Sequence, residues 1–267
     1  MLRPIALAVA CLSCLSLVPG PSLAHFGAVI PSDDIITKGD PAQLSLRLSF
    51  LHPQEGQAME LARPEQIGML HRGVRTDLGS AFQANKEQGF TSWQGSVTIS
   101  RPGDYTFFMV PTPYWEPSED VFIIHSTKVC VNAFGLEQGW DQPVGLETEI
   151  IPLSRPYGLW TNNLFTGQVL LKGKPVPFAE VEVEYLNASA PPAPPITPPS
   201  SPFITQVVKA DGKGVFSYAM VKAGWWGFAA LSEDDRLLEH DGVKKKVELG
   251  AVYWVHATDL TTGDAPR

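Results

Sequence analysis

Cysteine is nearly absent from this chain: of 267 residues only Cys11, Cys14 and Cys130 carry a thiol. Cys11 and Cys14 fall in a segment that reads as a removable leader, so no intrachain disulfide can staple what remains. Cys11-Leu12-Ser13-Cys14, in that same segment, is the one CxxC spacing, and an HExxH motif, a glycine-rich phosphate loop and a nucleophile elbow are missing. A hydrolase or nucleotide-using enzyme is therefore without support, and a non-enzymatic protein is expected. Positive charge is in deficit, with 20 Lys and Arg against 28 Asp and Glu and a net charge of −8. Such a surface repels nucleic acid and anionic lipid and tolerates a cationic ligand. No apolar run reaches the about 20 residues of a membrane-spanning helix.

Residues 1–24 have the make-up of an export signal. Arg3 is positive, Ile5 to Val18 is almost wholly apolar, Pro19-Gly20-Pro21 breaks the helix, and Ser22-Leu23-Ala24 is a small-residue cleavage pattern. Ala8-Val9-Ala10 lacks the large aliphatic residue that precedes a lipid-anchored cysteine, so Cys11 is not read as an anchor. The expected product is a periplasmic protein that begins at His25, its charge moved by the loss of Arg3 from −8 to −9.

Short runs of alternating polarity dominate the rest. Leu44 to Phe50 alternates leucine and phenylalanine with polar residues, and Gln66 to His71, Thr91 to Ile99, Asp104 to Val110 and Val121 to Val131 follow. A second series comprises Leu146 to Ile151, Phe165 to Leu171, Ala179 to Leu186, Phe203 to Lys209, Gly214 to Val221, Trp225 to Leu231 and Leu249 to Ala257. The expected fold is all-β: two immunoglobulin-like or prealbumin-like sandwiches over 25–145 and 146–260, with a proline-rich loop at 188–202 and a tail at 261–267.

Six histidines are the main candidates for chemistry. A chain cut before His25 offers an α-amine and a ring nitrogen on one residue, a ready-made metal chelate. His52 continues the inward parity of Leu46, Leu48 and Phe50, and His125 sits mid-strand with Val121 and Ile123. Taken singly, each of these reads first as a hydrogen-bonded core histidine; it is their combination that points to metal. Cys130 has the opposite parity to His125 and is not expected as a ligand. Nitrogen ligands completed by carboxylate or water suit Ni²⁺, Cu²⁺ or Zn²⁺. His240 and His256 are secondary metal candidates, and His71, beside Arg72 and Arg75, is a poorer one. Asp33, Asp34, Glu116, Glu119 and Asp120 are available as oxygen donors. Tyr114, Trp115, Trp225 and Trp226 are candidates for contact with a partner protein or glycan, with core packing as the competing role.

The segments "AHFGAVIPS", "LSFLHP", "FFMVPTPYWEPSEDVFIIHSTKVCVNAFG", "EIIPLSRPYGLW" and "AGWWGFAAL" together resemble a family of exported bacterial proteins described as the periplasmic component of cobalt and nickel uptake systems. The resemblance implies a two-sandwich protein that captures Ni²⁺ or Co²⁺ and passes it to a membrane uptake transporter. His25, His52 and His125 match the family's histidines, and no His-rich storage tract is present. Two other classes compete: an interaction sandwich that binds metal indifferently, and a copper enzyme with an amino-terminal histidine brace.

Overall fold

Alternating burial along short strands shapes most of the computed structural model, which describes residues 24–187 and 196–260. Residues 1–23, where the sequence suggests an export signal, the middle of the proline-rich loop (188–195) and the tail (261–267) lie outside the described residues. The first series of main strands is β1 (Phe26–Pro31), β2 (Gln43–His52), β3 (Gln66–His71), β4 (Phe82–Glu87), β5 (Phe90–Thr98), β6 (Gly103–Val110) and β7 (Val121–Ala133). The second is β8 (Thr148–Pro152), β9 (Leu164–Leu171), β10 (Glu180–Tyr185), β11 (Gln206–Lys209), β12 (Val215–Ala219), β13 (Gly224–Glu233) and β14 (Val243–Thr258). Among the described residues there is no α-helix, only 3-10 turns at Gly79–Ala81 and Ser201–Phe203, and hence no helix long and apolar enough to cross a membrane.

The two series meet in one twelve-stranded sheet whose central path runs β11-β10-β13-β14-β7-β6-β3. At its middle β7 and β14 pair in parallel from Val121↔Lys246 to Val129↔Trp254. A five-stranded sheet, β1-β2-β5-β4 with Gln57–Met59 added to β2, packs on one face. A four-stranded sheet built on β8, β9 and β12 packs on the other. Parity then sorts the side chains of β14. Val252 and Trp254 join Phe26, Leu46, Leu48 and Phe107 in the first core, while Tyr253 and Val255 join Phe165, Val169 and Phe228 in the second. A strand covered on both faces reads as an unbroken apolar run, as in Gly250-Ala251-Val252-Tyr253-Trp254-Val255.

Some strand limits differ from those the sequence suggests, for identifiable reasons. Phe203 belongs to a 3-10 turn and β11 starts at Gln206, because Pro202 has no N–H to give to a ladder. The apolar strand β1 is missed because it is buried almost throughout, and β4 because it is a largely exposed edge with no inward pattern. At the base of the proline-rich loop, the Asn187 carboxamide accepts from the Ile196 amide (2.8 Å) and donates to the Ile196 carbonyl (2.8 Å), closing the loop. Deep in the second core, Lys128 Nζ donates to Glu149 Oε2 at 2.6 Å, and Glu149 also accepts from the amides of Val144 (3.0 Å) and Gly145 (2.9 Å).

Candidate metal centre

Three histidines gather where the start of β1 passes the end of β2 and the middle of β7. The approach depends on Gly27: a Cβ there would stand 2.3 Å from Thr127 Oγ1 and 2.9 Å from the His125 carbonyl oxygen. The buried indole of Trp254 donates to the Gly27 carbonyl (2.8 Å), fixing β1 across the large sheet. Phe26 pairs with Leu51, so His25 falls beside His52, with ring centroids 4.7 Å apart. Phe50 packs against both this pair and the third histidine, its ring 5.9 Å from that of His25 and 6.1 Å from that of His125.

Each ring is held by a specific partner. His25 Nε2 lies 3.0 Å from Glu116 Oε2, and Glu116 is itself fixed by the amide (2.9 Å) and hydroxyl (2.5 Å) of Ser118. His125 Nε2 lies 3.2 Å from Glu248 Oε1 on β14. Its ring rests on Gly250, the residue opposite it in register, where a Cβ would come within 2.2 Å of Cδ2. His125 is 1% exposed, and its Nδ1 is buried with no hydrogen-bond partner. An orphaned polar atom of this kind costs about 1–3 kcal/mol. His52 Nδ1 donates to the carbonyl oxygen of Ala24 at 2.9 Å.

Electrostatics keep the His25 ring neutral and the carboxylates of Glu116 and Glu248 charged. Burial, then the neighbouring His52, lowers the His25 pKa to about 4, outweighing the pull of Glu116. Burial acts to raise Glu116, but hydrogen bonds from Ser118 and the nearby His25 prevail and hold it below the ordinary carboxylate range. Glu248 is likewise lowered, burial being outweighed by His125. On β10, burial raises Glu182 to about 7 against the opposing influence of His125, and Glu184 to about 8. A neutral His25 imidazole beside an anionic Glu116 is the protonation state that metal binding requires.

Among the described residues, no three His, Cys, Asp or Glu side chains are arranged to hold an ion.

The remaining candidates are scattered. His240 stacks on Trp115 at 4.0 Å, and Lys245 both pairs with Asp120 (2.5 Å) and covers the Trp115 ring. His256 sits 5.1 Å from the Trp225 ring and 4.0 Å from Asp34, in a cleft of about 710 Å³ that Asp33 also lines. His71 stacks on Tyr105 at 3.9 Å and bonds the Asp104 carbonyl (3.0 Å) through Nδ1. Tyr114 packs on Phe50, while Trp226 is buried with its indole donating to Lys222 O (2.8 Å). Cys130 is buried in the second core, away from His125. Of the acidic candidates, Glu116 reaches the histidines. Glu248, Gly27 and Gly250 were not legible beforehand: Glu248 shares parity with Val252 and Trp254, but its meeting with His125 depends on a pairing 123 residues apart.

A family model described as a domain of unknown function, DUF4198, matches residues 22–234. The chain belongs to this family. Membership of DUF4198 carries no activity with it, and no curated protein matches the sequence. Among solved structures, the chain is similar to the complex of Dpr11 with DIP-gamma, at 9% identity and a TM-score of 0.22 over 85% of this chain and 98% of that one. It is also similar to titin tandem immunoglobulin domains, at 10% identity and a TM-score of 0.21 over 89% and 100%. A third likeness is to trypsin-activated alpha-2-macroglobulin from Escherichia coli, at 10% identity and a TM-score of 0.23 over 88% of this chain and 16% of that one. At these scores nothing about function transfers to this DUF4198 chain. Its own sheets define an all-β, immunoglobulin-like sandwich architecture.

Proposed function

We propose that this DUF4198 protein is exported, is cut before His25, and captures Ni²⁺, or Co²⁺, in the periplasm for a membrane uptake transporter. The observation that carries the reading is the placement of His52 Nδ1 on the Ala24 carbonyl. Cleavage removes that carbonyl, frees the ring nitrogen and turns the His25 amide into an amine. Since carbonyl oxygen and amide nitrogen are joined through one carbon, the new amine lies within about 5 Å of His52 Nδ1.

The ring spacing suits one ion. With metal–nitrogen bonds of about 2.0–2.1 Å and about 1 Å from nitrogen to ring centre, two imidazoles at roughly 90–110° on one ion have centroids about 4.5–5 Å apart. The His25–His52 separation of 4.7 Å falls in that interval. The orphaned Nδ1 of His125 supplies a further donor, so amine and imidazoles make a nitrogen-rich site of the kind Ni²⁺ prefers. Copper binds tightly to almost any such site, so the identity of the cargo rests on which metal the cell supplies and not on affinity alone.

Calorimetric titration of Ni²⁺ into mature protein beginning at His25, and into the same protein with one glycine added in front, tests the reading. Micromolar or tighter one-to-one binding that weakens sharply with the extra glycine is the expected result. Equal binding by both preparations would remove the terminus from the site, and binding by neither would end the capture role.

A further inference from the structure

We infer that Glu116 and Glu248 are positioning residues of this centre: by accepting from Nε2–H they turn His25 and His125 so that both offer Nδ1 to the metal. The inference rests on the capture reading above and adds which atom of each ring binds and what orients it.

A carboxylate can only accept, so the contacts at 3.0 Å from Glu116 to His25 and 3.2 Å from Glu248 to His125 require the proton on Nε2 of each ring. A neutral imidazole protonated there has its lone pair on Nδ1. For His125 that is the buried atom without a partner. For His25 it is the nitrogen that closes a six-membered chelate with the α-amine, a ring that Nε2 is too distant to form. Two independent observations on different strands therefore select the same tautomer.

The supports are built rather than incidental. Glu116 is 7% exposed and held by both donors of Ser118. Glu248 reaches His125 over Gly250, whose missing side chain leaves the ring its place. Carboxylates that accept from the outer nitrogen of a ligand histidine fix its tautomer and raise its basicity, and their loss weakens metal binding by about 10–100-fold.

Nitrogen-15 spectra of the histidine rings in mature protein loaded with Zn²⁺, a diamagnetic probe, test the assignment. His25 and His125 are expected to carry hydrogen on Nε2 and metal on Nδ1, and metal-free His125 to show the same Nε2–H form. Glu116→Met and Glu248→Met should each weaken Ni²⁺ binding by about 10–100-fold. Glu116→Gln and Glu248→Gln, which keep an acceptor without its charge, should recover part of the loss, and metal-free Glu248→Met should show mixed His125 tautomers. Metal on Nε2 of either ring, or Met variants that bind like the parent, would overturn the inference while leaving the capture reading intact. A parent chain that takes up neither ion would overturn both.

Discussion

The imidazole of His125 rests on Gly250 of the neighbouring parallel strand, in the space a β-carbon would need. Gly250→Ala must push the ring away, since the nearest ring atom would be 2.2 Å from the added carbon. The expected cost is about 1–3 kcal/mol in a urea titration, together with weakened Ni²⁺ binding. Unchanged binding would place the metal elsewhere.

His125→Leu removes the buried nitrogen that has no partner and leaves Glu248 close enough to the surface to be hydrated. The metal-free variant should be at least as stable as the parent and should lose tight Ni²⁺ binding. Such a trade of stability for function is common where a site holds strained or unsatisfied groups. A clear drop in the melting temperature of the metal-free protein would identify His125 as a structural residue.

Glu184 gives a pH signature. Burial raises its folded pKa to about 8, so from about pH 4.5 upward the unfolded chain loses a proton that the folded chain keeps. The associated stability is full below pH 4.5 and is lost as the pH rises to about 8. Glu184→Gln keeps hydrogen-bonding capacity toward Gln54 and Thr205 without a charge, and should exceed the parent at pH 8 by on the order of 2–4 kcal/mol, with no advantage at pH 4. Denaturation midpoints measured at both pH values decide the matter.

His25 acts in the opposite sense. Its folded pKa of about 4 lies below the ordinary 6.5, so between those values the unfolded chain binds a proton that the folded one refuses. Metal-free protein with an intact His25 should lose stability as the pH falls from 6.5 toward 4, and His25→Phe should flatten that slope. A slope unchanged by the substitution would assign the titration to other groups.

The buried pair of Lys128 and Glu149 gives a stability test remote from the centre. Lys128→Met leaves Glu149 buried without its cation and should cost about 3–5 kcal/mol in chemical denaturation. Ni²⁺ affinity of the protein that remains folded should match the parent.

Legibility from sequence followed the exposure of each strand. β2 reads clearly because its first half alternates between core and solvent, whereas β1 and the later part of β14 are buried on both sides and lose that pattern. His25 and His52 could be singled out from the cleavage pattern and from parity along one strand. Their carboxylate and glycine supports could not, because the partners sit on strands whose adjacency no local pattern encodes. The aromatics divide the same way: Trp226 reads as a strand residue that could contact a partner or pack, and the strand carries it into the second core.

The parallel pairing of β7 with β14 also sets an order in time. A ribosome delivers His25, His52 and His125 well before Gly250 and Glu248 exist, and the strand that supports His125 is the last in the chain. Contacts so distant in sequence close late, so a nascent or truncated chain holds the histidines without their mould. Assembly of the histidine cluster thus waits on the last of the described strands.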